Sequence, residues 1–305
     1  MHCFRAVHFF YRSLMDKQLL SAELMPVVAN SNAMRSVETL LQHLALSNVP
    51  VLFIGEKGTG RAYLARQLYL LGKNSARPFV RITAKDASKS SFEKVAALEH
   101  GMIFIDEIAE ASVEFQEILN SYLSAAASSE NLCRIACSTA ENLEEMVSDG
   151  KFSSDLYYQL AVLPVHVPAL RNRVADIPKL SEMFLSVYSK RYNKNFANFT
   201  DEALSALSSA YWALNVVELE SCIERACAFA LPPTIEKEDL RLNILSVSGI
   251  FLEGDKSLKS AVDQFKKQYI SQILAEVRWN QTEAAKVLDI QRTYLSRLIK
   301  ELHIK

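Results

Sequence analysis

Five short, mostly apolar runs, separated by segments of helical periodicity, constrain the fold of this chain more than any other feature of its sequence. They occupy residues 50–54, 78–82, 102–105, 132–139 and 162–167. Strands that are apolar on both faces are buried on both, and such strands joined by helices are typical of a parallel sheet with helices on each side. The pattern therefore predicts an α/β domain over residues 26–177.

The sequence changes character at Pro178, after which only helical patterns follow. They cover residues 178–192, 200–210, 215–230 and 236–242, which predicts a small all-helical domain over 178–242. We interpret residues 1–25 as a leader and residues 243–256 as a linker. Helical periodicity returns at about 257–277, 281–288 and 291–301, and these segments make a third domain over 257–305.

Charge is distributed unevenly among these domains. The 305 residues include 34 Lys and Arg against 35 Asp and Glu, and this net charge of −1 predicts no global attraction to polyanions. Residues 255–305 nevertheless have a net charge of +4, whereas the remainder has −5. A mildly basic C-terminal module therefore follows an acidic body.

Cysteine usage and hydropathy limit the kinds of site and the compartment. The five cysteines are odd in number, have no CxxC spacing and, apart from Cys3, lie far from the six histidines, so neither a zinc site nor a disulfide framework is indicated. No stretch reaches eighteen uncharged apolar residues, so no membrane span is expected. We expect a protein of the reducing cytoplasm with no membrane partner.

A glycine-rich loop directly follows the first apolar run and precedes a helical segment. Its residues are Gly55, Glu56, Lys57, Gly58, Thr59, Gly60 and Arg61. Glycines at this spacing let backbone N–H groups surround a phosphate at a helix N-terminus, so we interpret the loop as a nucleotide site. Arg61 stands where a P-loop has its lysine, and Ala62 where a hydroxyl commonly meets Mg²⁺. The alternative is a glycine-rich turn that binds nothing.

Two carboxylates, Asp106 and Glu107, end the third apolar run. At a nucleotide-hydrolysing site Asp106 would hold Mg²⁺ and Glu107 would polarise the attacking water, so both are candidate catalytic residues. They follow the glycine-rich loop at a suitable distance in the sequence. The alternatives are solvated acids at a strand end, a helix cap or an ion pair with Arg134.

The segment 280–300 has the pattern of a helix-turn-helix. Ala284 and Ala285 provide the small contact where two helices cross, and Leu288, Ile290, Leu295 and Leu298 have the spacing of a three-helix core. The predicted DNA-binding residues on the last helix are Gln291, Arg292, Thr293, Tyr294, Ser296, Arg297 and Lys300. The alternative is a helical tail that serves packing alone.

The helix before this motif has an apolar stripe that is typical of a dimerisation helix. Its members are Leu258, Val262, Phe265, Tyr269, Ile273 and Val277. We therefore expect the C-terminal domain to self-associate as a dimer on double-stranded DNA.

From Pro26 to Leu240 the chain resembles the AAA+ domain of sigma-54-dependent transcriptional activators, and its last fifty residues resemble their Fis-type helix-turn-helix. Nine ordered segments carry the resemblance: 30–34, 55–61, 78–81, 101–108, 134–139, 150–152 with 155–158, 167–171 with 173, 176–178, and 215–216 with 218–220. The resemblance implies an AAA+ P-loop sheet, a helical lid domain, ATP or ADP with Mg²⁺ as ligand, and a possible higher oligomer through the AAA+ domain.

The departures from the family pattern are concentrated at functional positions. The segment between Val80 and Gly101 is too short to hold the GAFTGA loop that touches sigma-54, so sigma-54 is an unlikely partner. Ser153 and Gln159 stand at the arginine-finger positions. Ala140 replaces the sensor Asn, and Val217 replaces the sensor Arg.

These changes, together with Arg61, imply an ATPase that binds nucleotide weakly and turns it over poorly or not at all, although the retained Asp106 and Glu107 argue the other way. We predict a sequence-specific DNA-binding regulator with a degenerate ATPase domain. The alternatives are an active ATP-dependent sigma-54 activator and an interaction scaffold.

Overall fold

The computed structural model describes two separate parts of the chain. The first is 26–242, apart from 74, 76, 98–99 and 127–131, and the second consists of 266–267, 270–271, 273–274, 277, 279–288 and 290–302. The predicted leader, the linker 243–256 and residues 257–265 of the predicted dimerisation helix lie outside the described residues. Contacts divide the chain into two compact units after Arg241.

Strands and helices alternate through the α/β part of the first unit. They are α1 (Asn32–Leu44), β1 (Val51–Ile54), α2 (Arg61–Leu71), β2 (Phe79–Thr83), α3 (Lys89–Ala96), β3 (Met102–Asp106), α4 (Val113–Ala126), β4 (Arg134–Thr139), α5 (Leu143–Ser148), α6 (Ser154–Leu160) and β5 (Pro164–His166). All five predicted strands are therefore confirmed.

The five strands form one parallel sheet in the order β2-β3-β4-β1-β5. Because β3 and β1 both pair with β4, the carboxyl ends of all three strands meet at one edge of the sheet. This edge carries the glycine-rich loop after β1 and the two carboxylates after β3. A parallel α/β sheet binds its ligands outside the carboxyl ends of its strands.

Both faces of the sheet are buried, as the apolar runs predict. On β3, Ile103 and Ile105 pack with helices α3–α6, whereas Met102 and Phe104 pack with α1 and α2. Successive strand residues point to opposite faces, so a strand that is apolar throughout requires this two-sided cover.

A mainly helical region follows the sheet. It contains α7 (Ile177–Arg191), β6 (Asn198–Phe199), α8 (Asp201–Ser209), α9 (Asn215–Phe229) and β7 (Thr234–Ile235). Two sequence-based expectations fail here. The predicted helix 236–242 is only a 3-10 turn at Glu238–Leu240. The region also includes a two-stranded parallel pair, β6 with β7, because the β-branched Thr234 and Ile235 favour an extended conformation.

The second unit is a compact helical cluster. Its helices α10 (Gln281–Val287) and α11 (Arg292–Glu301) pack with Ile270, Ile273 and Leu274, which lie in helical conformation before them. All six predicted core residues, from Ala284 to Leu298, belong to this cluster. Ile273, which we expected on a dimerisation stripe, is buried within the same chain's core.

Candidate nucleotide cleft and DNA-binding face

The glycine-rich loop has the backbone geometry that its sequence predicts. Gly58 and Gly60 have φ angles of 81° and 98°, a region that residues with a Cβ rarely adopt. Gly60 is the N-cap of α2 and contributes no side-chain cap, so the first-turn N–H groups of that helix lack a side-chain acceptor. The end of the helix thus retains the donors that attract an anion.

The helical region holds this loop from outside. The Val216 N–H donates to the carbonyl of Gly58 at 2.9 Å, and the Asn215 amide donates to the carbonyl of Lys57 at 3.0 Å. A Cβ built on Gly58 would lie 2.1 Å from the carbonyl oxygen of Leu214, so glycine is required there. The loop and the helical region form one docked assembly.

An ion pair between Glu56 and Arg171 adds to this docking. The Arg171 guanidinium donates to both carboxylate oxygens of Glu56, one of them at 2.8 Å, and Asn215 donates to the same carboxylate at 3.2 Å. The hydrogen bond from Arg171 lowers the pKa of Glu56 to about 2. Glu56 therefore acts as a structural anion in the loop.

Arg61 and Glu107 are directed at each other. The buried Arg61 guanidinium donates through Nη2 at 2.5 Å and through Nη1 at 3.4 Å to the two carboxylate oxygens of Glu107. The Ala140 N–H also donates to Glu107, at 3.1 Å. The expected water-polarising carboxylate and the expected phosphate-binding cation thus neutralise one another.

Asp106 has partners at both of its oxygens. Arg81 Nη2 donates to Oδ2 at 2.5 Å, and Ser138 Oγ donates to Oδ1 at 2.5 Å. The alternative pairing with Arg134 is wrong, because Arg134 aligns with Met102 at the opposite end of β3 and donates instead to the carbonyl of Val49. The cation at this carboxylate is therefore Arg81.

The donor set at this edge of the sheet does not fit Mg²⁺. Magnesium needs oxygen ligands with free lone pairs in a near-octahedral arrangement. Both oxygens of Asp106 accept hydrogen bonds, one from a cation, and Ala62 lacks the hydroxyl that a P-loop offers.

A cavity of about 440 Å³ lies between the loop and the helical region. Its volume is in the range of small-ligand pockets. The apolar part of its wall consists of Val27, Val28, Met34, Leu180, Met183, Phe184, Val216 and Val217. The polar part consists of Gly58 to Arg61, Arg81, Asp106 and Arg173. The second half of the predicted loop, Gly58 to Arg61, thus meets Asp106 at one cavity, whereas Gly55, Glu56, Lys57 and Glu107 are not among its lining residues.

Arg173 is a cavity residue whose importance the sequence analysis did not identify. It is 5% exposed, its Nη2 donates to the carbonyl of Thr59 at 2.6 Å, and its Nε has no acceptor. Burial lowers the pKa of its guanidinium to about 10. In the sequence, Arg173 was indicated only as a member of one of the nine segments that resemble the family, and no role was assigned to it.

The helical region presents acids to the cavity where the family has a cation. Val217 is half-exposed and carries no charge, while Glu220 and Glu224 line the same wall. Tyr188 donates to Glu220 at 2.8 Å, and burial raises the pKa of that carboxyl. This wall offers no positive charge to a terminal phosphate.

The residues at the arginine-finger positions serve their own fold. Ser153 is the N-cap of α6 and accepts the Leu156 N–H at 3.3 Å. Gln159 donates to Asn120 at 2.9 Å and to Ser124 at 3.1 Å on α4. Neither side chain carries a charge that a neighbouring subunit would need.

The last helix of the second unit presents its polar residues to solvent. Gln291, Arg292, Thr293, Tyr294 and Arg297 are exposed, and the Arg297 guanidinium lies 5.4 Å from the centroid of the Tyr294 ring. Ser296 is half-buried and donates to Gln281 at 3.0 Å. Of the seven predicted DNA-binding residues, only Lys300 has a side chain outside the described part of the chain.

Other kinds of site find no support within the described residues. No cluster of three or more His, Cys, Asp or Glu residues is arranged to hold a metal ion there. None of the helices in that part of the chain is long and apolar enough to cross a membrane. Cys133, Cys137, Cys222 and Cys227 are buried, and none of these four described cysteines forms a disulfide.

Family models match three consecutive parts of the chain. The Sigma-54 interaction domain matches residues 28–170, the AAA+ ATPase lid domain matches 171–249, and the Fis family of bacterial regulatory proteins matches 261–302. The order agrees with the sheet, the helical region and the second unit described above.

Curated relatives and solved structures agree with these matches. The phenol regulator MopR of Acinetobacter guillouiae is 30% identical over 90% of this chain, and the transcriptional regulatory protein ZraR of Klebsiella oxytoca is 31% identical over 89%. The chain spans 56% of the former and 68% of the latter. NtrX from Brucella abortus, crystallised with ATP, has the same fold: its TM-score is 0.64 at 24% identity, over 98% of this chain and 75% of NtrX. The chain therefore belongs to the sigma-54-dependent family of bacterial transcriptional regulators, with an AAA+ domain, its lid and a Fis-type helix-turn-helix.

Proposed function

We propose that this protein is a sequence-specific DNA-binding regulator whose AAA+ domain binds ATP or ADP weakly and hydrolyses it poorly or not at all. The observation that carries the proposal is the pairing of Glu107 with Arg61. A carboxylate held by a buried guanidinium and a backbone N–H has little acceptor capacity left to orient and polarise a water molecule.

Nucleotide binding is supported by the geometry of the cleft. The loop backbone, the open N-terminus of α2 and the cavity beside Arg173 supply donors and space for a phosphate chain. NtrX from Brucella abortus has been crystallised both with ADP and with ATP. The acidic wall near Val217 leaves a terminal phosphate without a partner, which supports weak binding.

Loss of turnover is supported by the positions that normally stabilise the transition state. A finger arginine given to a neighbouring subunit contributes about 10³–10⁵ in rate. Here Ser153 caps its own helix, and Gln159 bonds to α4 of its own chain. Removal of these charges slows hydrolysis even where a nucleotide binds.

DNA binding is supported by the exposed face of α11. Arg292 and Arg297 suit base edges or phosphates, while Thr293 and Tyr294 suit phosphate oxygens. A dimer of the C-terminal domain would present two such helices, so we expect a palindromic target with half-sites about one helical turn apart.

The connection between β2 and β3 supports regulation without the family's loop contact to sigma-54. It runs from Ala84 to Gly101, and its described residues include a 3-10 turn at Ala84–Asp86 and the short helix α3, whose Phe92 and Val95 are buried under the sheet. This helix packs against the core of the sheet domain. Regulation would then act through occupancy of DNA or through another partner.

An active ATP-dependent sigma-54 activator is the second candidate. It is favoured by the match of residues 28–170 to the Sigma-54 interaction domain and by the presence of both Asp106 and Glu107.

One experiment separates the two candidates. The full chain is used to select fragments from a genomic DNA pool, and the selected sites are placed upstream of a sigma-54 promoter in a reconstituted transcription assay. We expect specific binding and no ATP-dependent product. Product that requires both this protein and ATP would establish the second candidate, and failure to select any site would contradict both.

A further inference from the structure

Two arginines neutralise the carboxylates at the end of β3. Arg61 holds Glu107, and Arg81 holds Asp106, in each case with an N–O distance of 2.5 Å. Hydrogen bonds between charged partners are stronger than those between neutral groups. A cation is thus present where a nucleotide site of this fold would use a metal ion.

A third arginine at the cavity, Arg173, has an N–H donor that is not used within the protein. Arg173 is buried, donates to one carbonyl oxygen and keeps Nε without an acceptor, and no ion pair to it is found among the described residues. The charge of Asp176 acts on Arg173 without an ion pair between the two side chains, and burial still lowers the pKa of the guanidinium to about 10. A buried guanidinium without a hydrogen-bonded anion is destabilising unless an anion or water satisfies it. It faces the cavity beside the open N-terminus of α2.

We infer that the cleft takes the phosphates of ATP or ADP without Mg²⁺, using the loop N–H groups and Arg173 as donors and Arg81 as the fixed charge beside Asp106. This inference rests on the proposed nucleotide binding. A Mg²⁺ ion bound to Asp106 would lie close to the Arg81 guanidinium on the same carboxylate, and the two positive charges would repel each other. Without Mg²⁺ the phosphates also retain their full negative charge, which strengthens their attraction to the arginine side chains.

Calorimetric titration of the full chain with ATP and with ADP tests this, in MgCl₂ and in EDTA at equal ionic strength. We expect dissociation constants that agree within about threefold between the two conditions, a difference of about 0.7 kcal/mol. Binding that is tighter in Mg²⁺ by about tenfold or more overturns the inference and leaves the proposed function standing. Absence of binding in both conditions contradicts the inference and the proposed nucleotide binding together.

Replacement of Arg81 sharpens the test, because its side chain is 42% exposed and its removal leaves the core intact. In Arg81→Ala, Asp106 loses the neighbouring positive charge, so we expect a preference for Mg²⁺ of about fivefold to appear. Arg77→Ala removes an exposed arginine outside the cavity and should keep the metal-independent affinity. Equal ratios in the two variants would contradict the role given to Arg81.

Replacement of Arg173 tests the phosphate donor. Arg173→Gln retains an amide donor for the carbonyl of Thr59 but removes the charge. We expect about tenfold weaker binding in both the Mg²⁺ and the EDTA condition, for protein shown by circular dichroism to be folded. Unchanged affinity of folded Arg173→Gln would remove this residue from the site.

Discussion

The cleft and the C-terminal unit use the same kinds of charged side chain in opposite ways. In the cleft, Arg61, Arg81 and Arg171 are paired with carboxylates of the same chain. On α11, Arg292 and Arg297 are exposed, and neither has an ion-pair partner among the residues described there. A cation paired with its neighbour stabilises the fold, whereas an unpaired exposed cation remains available to a phosphate or a base. The comparison favours the C-terminal unit as the working surface.

The largest effect is expected where the buried pair of the cleft is broken. Glu107→Leu leaves the Arg61 charge buried and unpaired, which should lower the free energy of unfolding by about 3–5 kcal/mol. The double variant Arg61→Met with Glu107→Leu should recover most of this loss, because apolar residues of similar size replace a buried pair at little cost. Urea denaturation measures both. A double variant as unstable as the single one would mean that the pair is not the cause.

Two glycines of the loop offer a matched comparison. In Gly58→Ala the new Cβ meets the carbonyl of Leu214, whereas Gly60→Ala has open space around it and bears only the strain of its positive φ. We expect a loss of about 2–4 kcal/mol for the former and about 1–2 kcal/mol for the latter. Thermal melting compares them. Equal losses would show that docking of the helical region on the loop is weaker than the structure indicates.

Substitutions on the proposed DNA-binding face should change DNA affinity by smaller amounts and leave the stability of the fold unchanged. Arg292→Ala should weaken binding to the selected site by about 1–3 kcal/mol and relax sequence preference if the side chain reads guanine. Lys267→Ala, which removes one exposed charge from the same domain, is the control. Electrophoretic mobility shift at several salt concentrations measures these effects. Equal weakening in both variants would leave only a general charge effect.

Lys300 should act on every sequence alike. Lys300→Ala should flatten the dependence of log affinity on log salt by about one unit and leave sequence preference unchanged, because a phosphate contact carries no base information. The same salt titration checks this. A change in preferred sequence would place Lys300 at a base instead.

The smallest effect concerns pH. The pKa of Glu56 is about 2 in the folded protein, through its hydrogen bonds with Arg171, against 4.5 for a free side chain. A depressed folded-state pKa contributes stability above pH 4.5 that is lost as the pH falls towards 2. Because the pair is partly exposed, we expect less than about 1 kcal/mol. In urea denaturation, the wild type should lose slightly more stability than Glu56→Gln between pH 5 and pH 3. A larger loss in the variant would contradict the stabilising role of the ionised Glu56.

The sequence predicted what depends on local pattern. The apolar runs located all five strands, and the spacing from Ala284 to Leu298 located the core of the second unit, because burial on two faces or on one helix stripe leaves a periodic signal. The helix expected at 236–242 did not form. The residues directly before it, Thr234 and Ile235, pair instead with the distant Asn198 and Phe199. Such a contact leaves no local periodicity.

The sequence motifs named candidate site residues but did not indicate which of them pair with one another. Arg61 and Glu107 are 46 residues apart in sequence, and nothing in either motif indicates that they bind each other. An ion pair with Arg134 was one alternative considered for Asp106, whereas the register of β3 with β2 brings Arg81 close instead. Arg173 was missed for the same reason, because its burial against Thr59 is a property of the folded chain.

The central claim is that the cleft does not hydrolyse nucleotide, and the most direct test is the rate of phosphate release from ATP. Wild type is compared with Glu107→Gln, at a temperature where both are folded and at protein concentrations high enough for self-association. Since Glu107 is held by Arg61 in the wild type, we predict that the two rates are indistinguishable. A wild-type rate clearly above that of Glu107→Gln would contradict the account and assign Glu107 a role in water activation.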